Sequence, residues 1–220
     1  MIDILPNNPT RESSSPKPLI FVTTPHRRRL PHFHSVGQPI FITWRLHGSL
    51  PSNRSFPSTE PSSRTFLATA RILDDARTGP RYLDMPAIAE VVIAALRYQG
   101  DHLRHLQLHS FVVMPNHVHL LVTPLVEVSK VTHSLKRFTA SECNRILRLT
   151  GNPFWQDESY DRLVRNQTEF RQISRHIEMN PAKAGLATTP EEFPYSYVGQ
   201  DAILQRVANP LAQPKQAEAD

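Results

Sequence analysis

The chain has 220 residues, a net charge of +5 and a pI of about 9.7, with 39% hydrophobic residues. That length suits one domain with polar ends, and the basic balance suits a polyanionic partner. A single cysteine, Cys143, excludes an intramolecular disulfide framework and a multi-cysteine zinc module. It also fits a reducing compartment. With no apolar run long enough to span a membrane and no charged-then-apolar leader, a cytoplasmic protein is expected.

Residues 1–24 carry Pro6, Pro9, Pro16, Pro18 and the run Ser13 to Ser15, which predicts a flexible N-terminal arm. Arg27, Arg28 and Arg29 follow as a compact basic cluster, a phosphate contact or a solvated charge run. A domain is expected over 25–198, with a polar C-terminal tail over 199–220. Residues 38–46 are β-branched and aromatic and predict a strand. Residues 49–65, rich in Ser, Pro and Arg, predict a surface loop.

Asp84 is placed to cap a helix with Pro86 in its first turn. Ile88, Val91, Val92, Ala95 and Leu96 give that helix an apolar stripe, and Gly100 ends it. Strands are predicted over 105–114 and 117–122, separated by Pro115 and Asn116. A helix over 129–148 would turn Val131, Leu135 and Phe138 inward and Lys136, Arg137, Arg145 and Arg148 outward. Gly151-Asn152-Pro153 is a turn. Asn166 and Glu169 have capping-box spacing for a last helix. Its stripe is Phe170, Ile173 and Ile177, and its end is predicted near Met179 because Pro181 disfavours helical geometry just before it. The order of elements predicts an α+β fold, an antiparallel sheet with helices packed on one face.

His117 and His119 are two apart in a strand, so both imidazoles point to one face while Val118 and Leu120 point to the other. Two imidazoles can share a divalent cation but need at least one further ligand.

The string Met114-Pro115-Asn116-His117-Val118-His119-Leu120-Leu121-Val122 resembles the HUH motif of the single-tyrosine transposases of bacterial insertion sequences. The class associated with repetitive extragenic palindromes (REP) is the most similar. Other segments resemble that family in the same order. They are Arg-Leu-Pro-His-Phe-His from Arg29 and Ile-Phe-Ile-Thr-Trp-Arg-Leu-His-Gly-Ser-Leu from Ile40, then Ser134 to Phe138, Phe154-Trp155-Gln156 and Tyr160 to Asn166. Asn180-Pro181-Ala182-Lys183-Ala184-Gly185-Leu186 and Phe193-Pro194-Tyr195-Ser196 close the match, which covers roughly 27–198. The resemblance implies a ferredoxin-like sheet, a homodimer and a bound magnesium or manganese ion. It also implies cleavage and joining of single-stranded DNA near hairpins, through a tyrosine linked to the 5′ phosphate. In chemical terms, a divalent ion would polarise the scissile phosphate. A side-chain nucleophile would conserve the energy of the broken bond.

The sequence departs from the family pattern at the nucleophile. The late-helix stretch reads His176-Ile177-Glu178-Met179-Asn180-Pro181, with histidine where the family has tyrosine. Asn180 keeps the polar position beside the metal, and Gln172 extends that face. Three readings of His176 stand open: a third metal ligand or base for water in a hydrolytic nuclease, a nucleophile forming a labile phosphoramidate, or the mark of a lost step in a protein that still binds DNA. Tyr160 is the substitute nucleophile to weigh against a structural aromatic, while Tyr195 and Tyr197 read as structural. Arg28, Lys136, Arg137, Arg145, Arg148, Arg162 and Arg165 are the candidate phosphate contacts. Trp155 is either a stacking platform for bases or a core residue. The alternatives to an active transposase-like protein are a domesticated, catalytically inactive DNA-binding module and a metal-dependent hydrolase of small phosphoesters.

Overall fold

The computed structural model describes residues 36–49, 79–157 and 159–200. The predicted arm, the Arg27 to Arg29 cluster, most of the Ser/Pro loop and nearly all of the tail lie outside the described residues.

In chain order the elements are β1 (Ile40–Arg45), α1 (Pro86–Arg97), β2 (Leu106–Val113), β3 (His117–Pro124), α2 (Val128–Leu147), β4 (Tyr160–Leu163), α3 (Gln167–Lys183) and β5 (Ser196–Val198). The five strands form one antiparallel sheet in the order β4-β1-β3-β2-β5. The first four strands, with α1 and α2 as crossovers, make the expected ferredoxin-like α+β arrangement, and β5 extends it beside β2.

Alternation along the central strands divides the apolar residues into two cores. Ile40, Ile42, Trp44, Phe111, Val113, Val118, Leu120 and Val122 pack under α1 and α2 with Ile88, Val92, Leu96, Val131, Leu135 and Cys143. Phe41, Val112, Met114 and Leu121 point the other way and meet Phe170, Ile173 and Ile177 of α3. The expectation of helices on one face therefore holds for α1 and α2 and is corrected for α3. A sheet apolar on both sides needs a cover on both.

Local details follow the sequence unevenly. Pro86 does open α1, but the N-cap is Met85 with no side-chain capping bond. Asp84 instead closes a short 3-10 turn and pairs with Arg81 at 2.9 Å. A π turn over Tyr98–His102 carries the end of α1 past Gly100. Phe138, expected inward, is 53% exposed on α2. At α3, Asn166 Oδ1 accepts the Glu169 amide at 2.9 Å, as expected. The Glu169 carboxylate reaches back to the Arg165 amide rather than to that of Asn166. The helix also runs past Met179 to Lys183 with Pro181 inside it. In the last turn the ring forgoes only the bond that its missing N–H would have made to the Ile177 carbonyl, while packing holds the rest. Burial pushes the Cys143 thiol up to about 12, as expected of an inert core cysteine.

Candidate metal and DNA site

His117 and His119 stand on the face of β3 that looks toward α3, with Leu121, and β3 carries Val118 and Leu120 into the opposite core. Both imidazoles are buried, at 1% and 0% exposure. Their Nε2 atoms converge to 3.0 Å. Each ring is fixed from behind through Nδ1: His117 by Asn116 Oδ1 at 2.6 Å, and His119 by Thr43 Oγ1 at 2.7 Å. Phe41 lies against His119 at 5.5 Å between ring centroids. Metal-binding histidines are typically held this way, one nitrogen forward and the other hydrogen-bonded behind.

Helix α3 brings His176 over the pair, its ring centroid 5.5 Å from that of His119. Asn180 follows one turn later. Its side chain is 1% exposed, and neither its amide nitrogen nor its oxygen has a hydrogen-bond partner. Burying an amide without partners costs about 1–3 kcal/mol, which marks the position as one to be completed by something else. Gln172 is exposed on the same helix. Among the described residues, no group of three or more His, Cys, Asp and Glu side chains is arranged to hold a metal. The two imidazoles, with the Asn180 carboxamide as a neutral oxygen donor, are the residues that fit a divalent ion here.

Tyr160 occupies the same cross-strand row, paired with Thr43, which in turn pairs with His119. It is 4% exposed and packs with Phe41 and Phe170. Burial pushes its phenol up to about 12, partly offset by Arg162. The structure thus places Tyr160 as a core aromatic with a phenol that keeps its proton at neutral pH. The sign of its pH effect is definite. Because the folded-state value lies above the ordinary 10, its stabilising contribution is complete below pH 10 and is lost as pH rises through 12. Tyr160→Phe should therefore remove a component of alkaline unfolding above pH 10, and the strand cleavage that the resemblance implies should survive the change. Denaturation series at several pH values, with a cleavage assay, check both; loss of cleavage would restore Tyr160 as a nucleophile.

The basic residues are more scattered than the sequence suggested. Lys136 donates from Nζ to the carbonyls of Gln156 at 2.7 Å and Asp157 at 3.0 Å, pinning the segment before β4. Arg137 and Arg145 are exposed, Arg145 beside Glu142 at 2.9 Å. All three belong to α2, across the sheet from the imidazoles. Arg162 is largely buried in an ion pair with Glu169, and Arg165 is exposed. Arg28 lies outside the described residues. Trp155 is a core residue, 6% exposed, edge-on to Trp44 and donating from Nε1 to Thr139 Oγ1 at 2.8 Å. The stacking role is corrected accordingly. Truncating such a buried Trp costs about 3–5 kcal/mol, so weaker DNA binding after its removal would report on folding.

Sequence reasoning missed three neighbours of the pair. Thr43 and Asn116 hold the rings, and Arg45, 7% exposed, pairs with His117 across β1 and β3 and donates to Ser49 Oγ at 3.4 Å. The alternation of β1 places Thr43 and Arg45 on the face opposite Ile42 and Trp44. Nothing local says which strand they would lie beside.

Residues 88–180, less than half of the chain, match the family model described as "Transposase IS200 like", so the resemblance to insertion-sequence transposases is borne out over that segment. A solved structure described as a REP-associated tyrosine transposase bound to a REP hairpin is similar at 19% identity and a TM-score of 0.46, covering 86% of this chain and 88% of that one. No curated protein matches the chain. No helix among the described residues is long and apolar enough to cross a membrane.

Proposed function

Taking the match of residues 88–180 to IS200-like transposases as premise, we propose that this chain is a transposase-like protein that binds single-stranded or hairpin DNA and cleaves and joins strands at a divalent-metal site. The observation that carries the reading is the 3.0 Å convergence of two buried Nε2 atoms beneath a helix bearing His176 and Asn180. His117, His119 and Asn180 would hold the ion, magnesium or manganese, which when bound would polarise the scissile phosphate. The residues themselves do the remaining work. Asn116 and Thr43 keep the imidazoles aimed. Arg45, across from His117, supplies a fixed positive charge for the phosphate. Phe41 from the sheet and Ile177 from α3, both buried, would keep water out from either side. His176, at the position where the resemblance puts the nucleophile, would attack phosphorus, take a proton from water or complete the ligand set. Palindromic hairpins are the proposed substrate, the cytoplasm the proposed location and a homodimer the proposed assembly.

A second reading, a domesticated DNA-binding module without catalysis, is favoured by one pair of observations: histidine stands at 176, and the alternative phenol, Tyr160, is buried and protonated. Both readings require DNA binding dominated by phosphate contacts. In a gel-shift titration, hairpin DNA should bind, and affinity should fall by roughly three orders of magnitude between low and moderately high salt if about six phosphates are neutralised. A flat salt response would remove both readings. Manganese-dependent cleavage of the same hairpin separates them, since the inactive module leaves the strand intact.

A further inference from the structure

With both rings neutral, the hydrogen bonds around the imidazole pair share one direction. Asn116 Oδ1 can only accept, so at 2.6 Å His117 carries its hydrogen on Nδ1 and, as a neutral ring, presents a lone pair at Nε2. Two lone pairs would not face each other at 3.0 Å, so His119 donates its Nε2–H to His117. A neutral His119 is then an acceptor at Nδ1, and the Thr43 hydroxyl donates to it at 2.7 Å. The bonds run donor to acceptor from Thr43 through His119 and His117 to Asn116.

For both Nε2 atoms to ligate one cation, His119 must move its hydrogen to Nδ1, with no change in net protonation. The group behind it must then accept instead of donate. A hydroxyl can do both by rotating; an apolar group can do neither, and a carboxamide offers each function on a different atom. Thr43 is 2% exposed and is locked opposite His119 by strand register, so water does not readily stand in for it.

We propose that Thr43 is a positioning residue for the metal site: a reversible hydrogen-bond partner that lets His119 pass from an Nε2–H tautomer, paired with His117, to an Nδ1–H tautomer that binds the ion. Thr43 lies outside the segment that matches the transposase family model. The proposal rests on the reading of His117 and His119 as a divalent-cation site.

The test uses the full chain and zinc ion alone, a diamagnetic probe that imidazole nitrogens bind well. Nitrogen-15 correlation spectra of the imidazoles should show His119 as the Nε2–H tautomer without zinc and the Nδ1–H tautomer with it. By calorimetry, Thr43→Val should bind zinc about tenfold or more weakly, in the range found when such outer partners are removed. Thr43→Ser, which keeps the hydroxyl, should bind close to wild type. Wild-type zinc affinity in a folded Thr43→Val, or an Nδ1–H tautomer already present without zinc, overturns the role of Thr43. Failure of the wild-type chain to bind zinc at all removes the cation site and the proposal together. Should the valine variant not fold, the tautomer change in the wild-type chain decides.

Discussion

His117→Ala is expected to bring manganese-dependent cleavage of hairpin DNA to background while the protein still folds and still shifts the hairpin on a gel. Two features of the structure separate these effects. The imidazole is one of two nitrogen donors that converge to 3.0 Å among the described residues, so its removal breaks the pair, and affinity for the ion should fall by two orders of magnitude or more on the scale of about 1.4 kcal/mol per tenfold. The cost to the fold is smaller. Alanine leaves Asn116 Oδ1 without its partner in a buried position, about 1–3 kcal/mol, and leaves both hydrophobic cores intact. The proposed DNA contact through an exposed cation such as Arg165 would be untouched. Calorimetric titration with manganese, thermal denaturation and gel shift on one preparation check the three parts. Cleavage that survives in this variant would mean that the imidazole pair is not where the metal acts.

The second large effect is a gain. His176→Tyr should produce a covalent protein–DNA adduct that survives denaturation, where the wild-type chain forms none that persists. His176 is half-buried on α3, in ring contact with His119 and one turn ahead of Asn180, so a phenol at this position would hang over the same pair. In the step envisaged, the phenolic oxygen bonds to phosphorus, the 3′ oxygen leaves, and the phenol proton passes to solvent or to that oxygen. The resulting phosphotyrosine ester is stable to gel electrophoresis, whereas a bond from histidine nitrogen to phosphorus is readily hydrolysed. An adduct in the tyrosine variant, abolished by adding His117→Ala, would show that histidine at 176 is the main departure from a working strand-transfer site. A folded, DNA-binding tyrosine variant with no adduct would favour the inactive module.

How legible these features are from sequence depends on how local their causes are. The orientation of His117 and His119 was readable because strand alternation is a property of consecutive residues, and β3 keeps it for eight residues. The apolar stripes of α1 and α3 were readable for the same reason. Thr43 and Asn116 as ring partners were not. Thr43 reaches His119 across 76 positions of sequence, through a strand pairing that no periodicity announces. Trp155 could serve as platform or core from sequence; its place beside Trp44 depends on the bridge between Leu46 and Trp155. Phe138 fits the inward stripe of α2 yet is exposed, because it lines an open groove beside Ala94, Ala95 and Tyr98 rather than facing the sheet. Arg162 looked like a phosphate contact because Glu169, seven residues on, becomes its neighbour only when β4 turns into α3. The end of α3 was misjudged because proline rules describe local strain, and packing on β2 and β3 outweighs it there.

β3 supplies valine and leucine to one core while presenting both imidazoles to the other side, so chemistry and scaffold share the same eight residues. A single-residue insertion or deletion before His117 that shifted its pairing by one would send the imidazoles into the packed interior beneath α1 and α2 and set Val118 and Leu120 where they had been. Only a register shift by an even number of residues preserves both halves, so pairing with β1 and β2, rather than the length of the Met114–Asn116 connection, has to hold the register. An extra residue in that connection should be taken up as loop, with both imidazoles left on the α3 side.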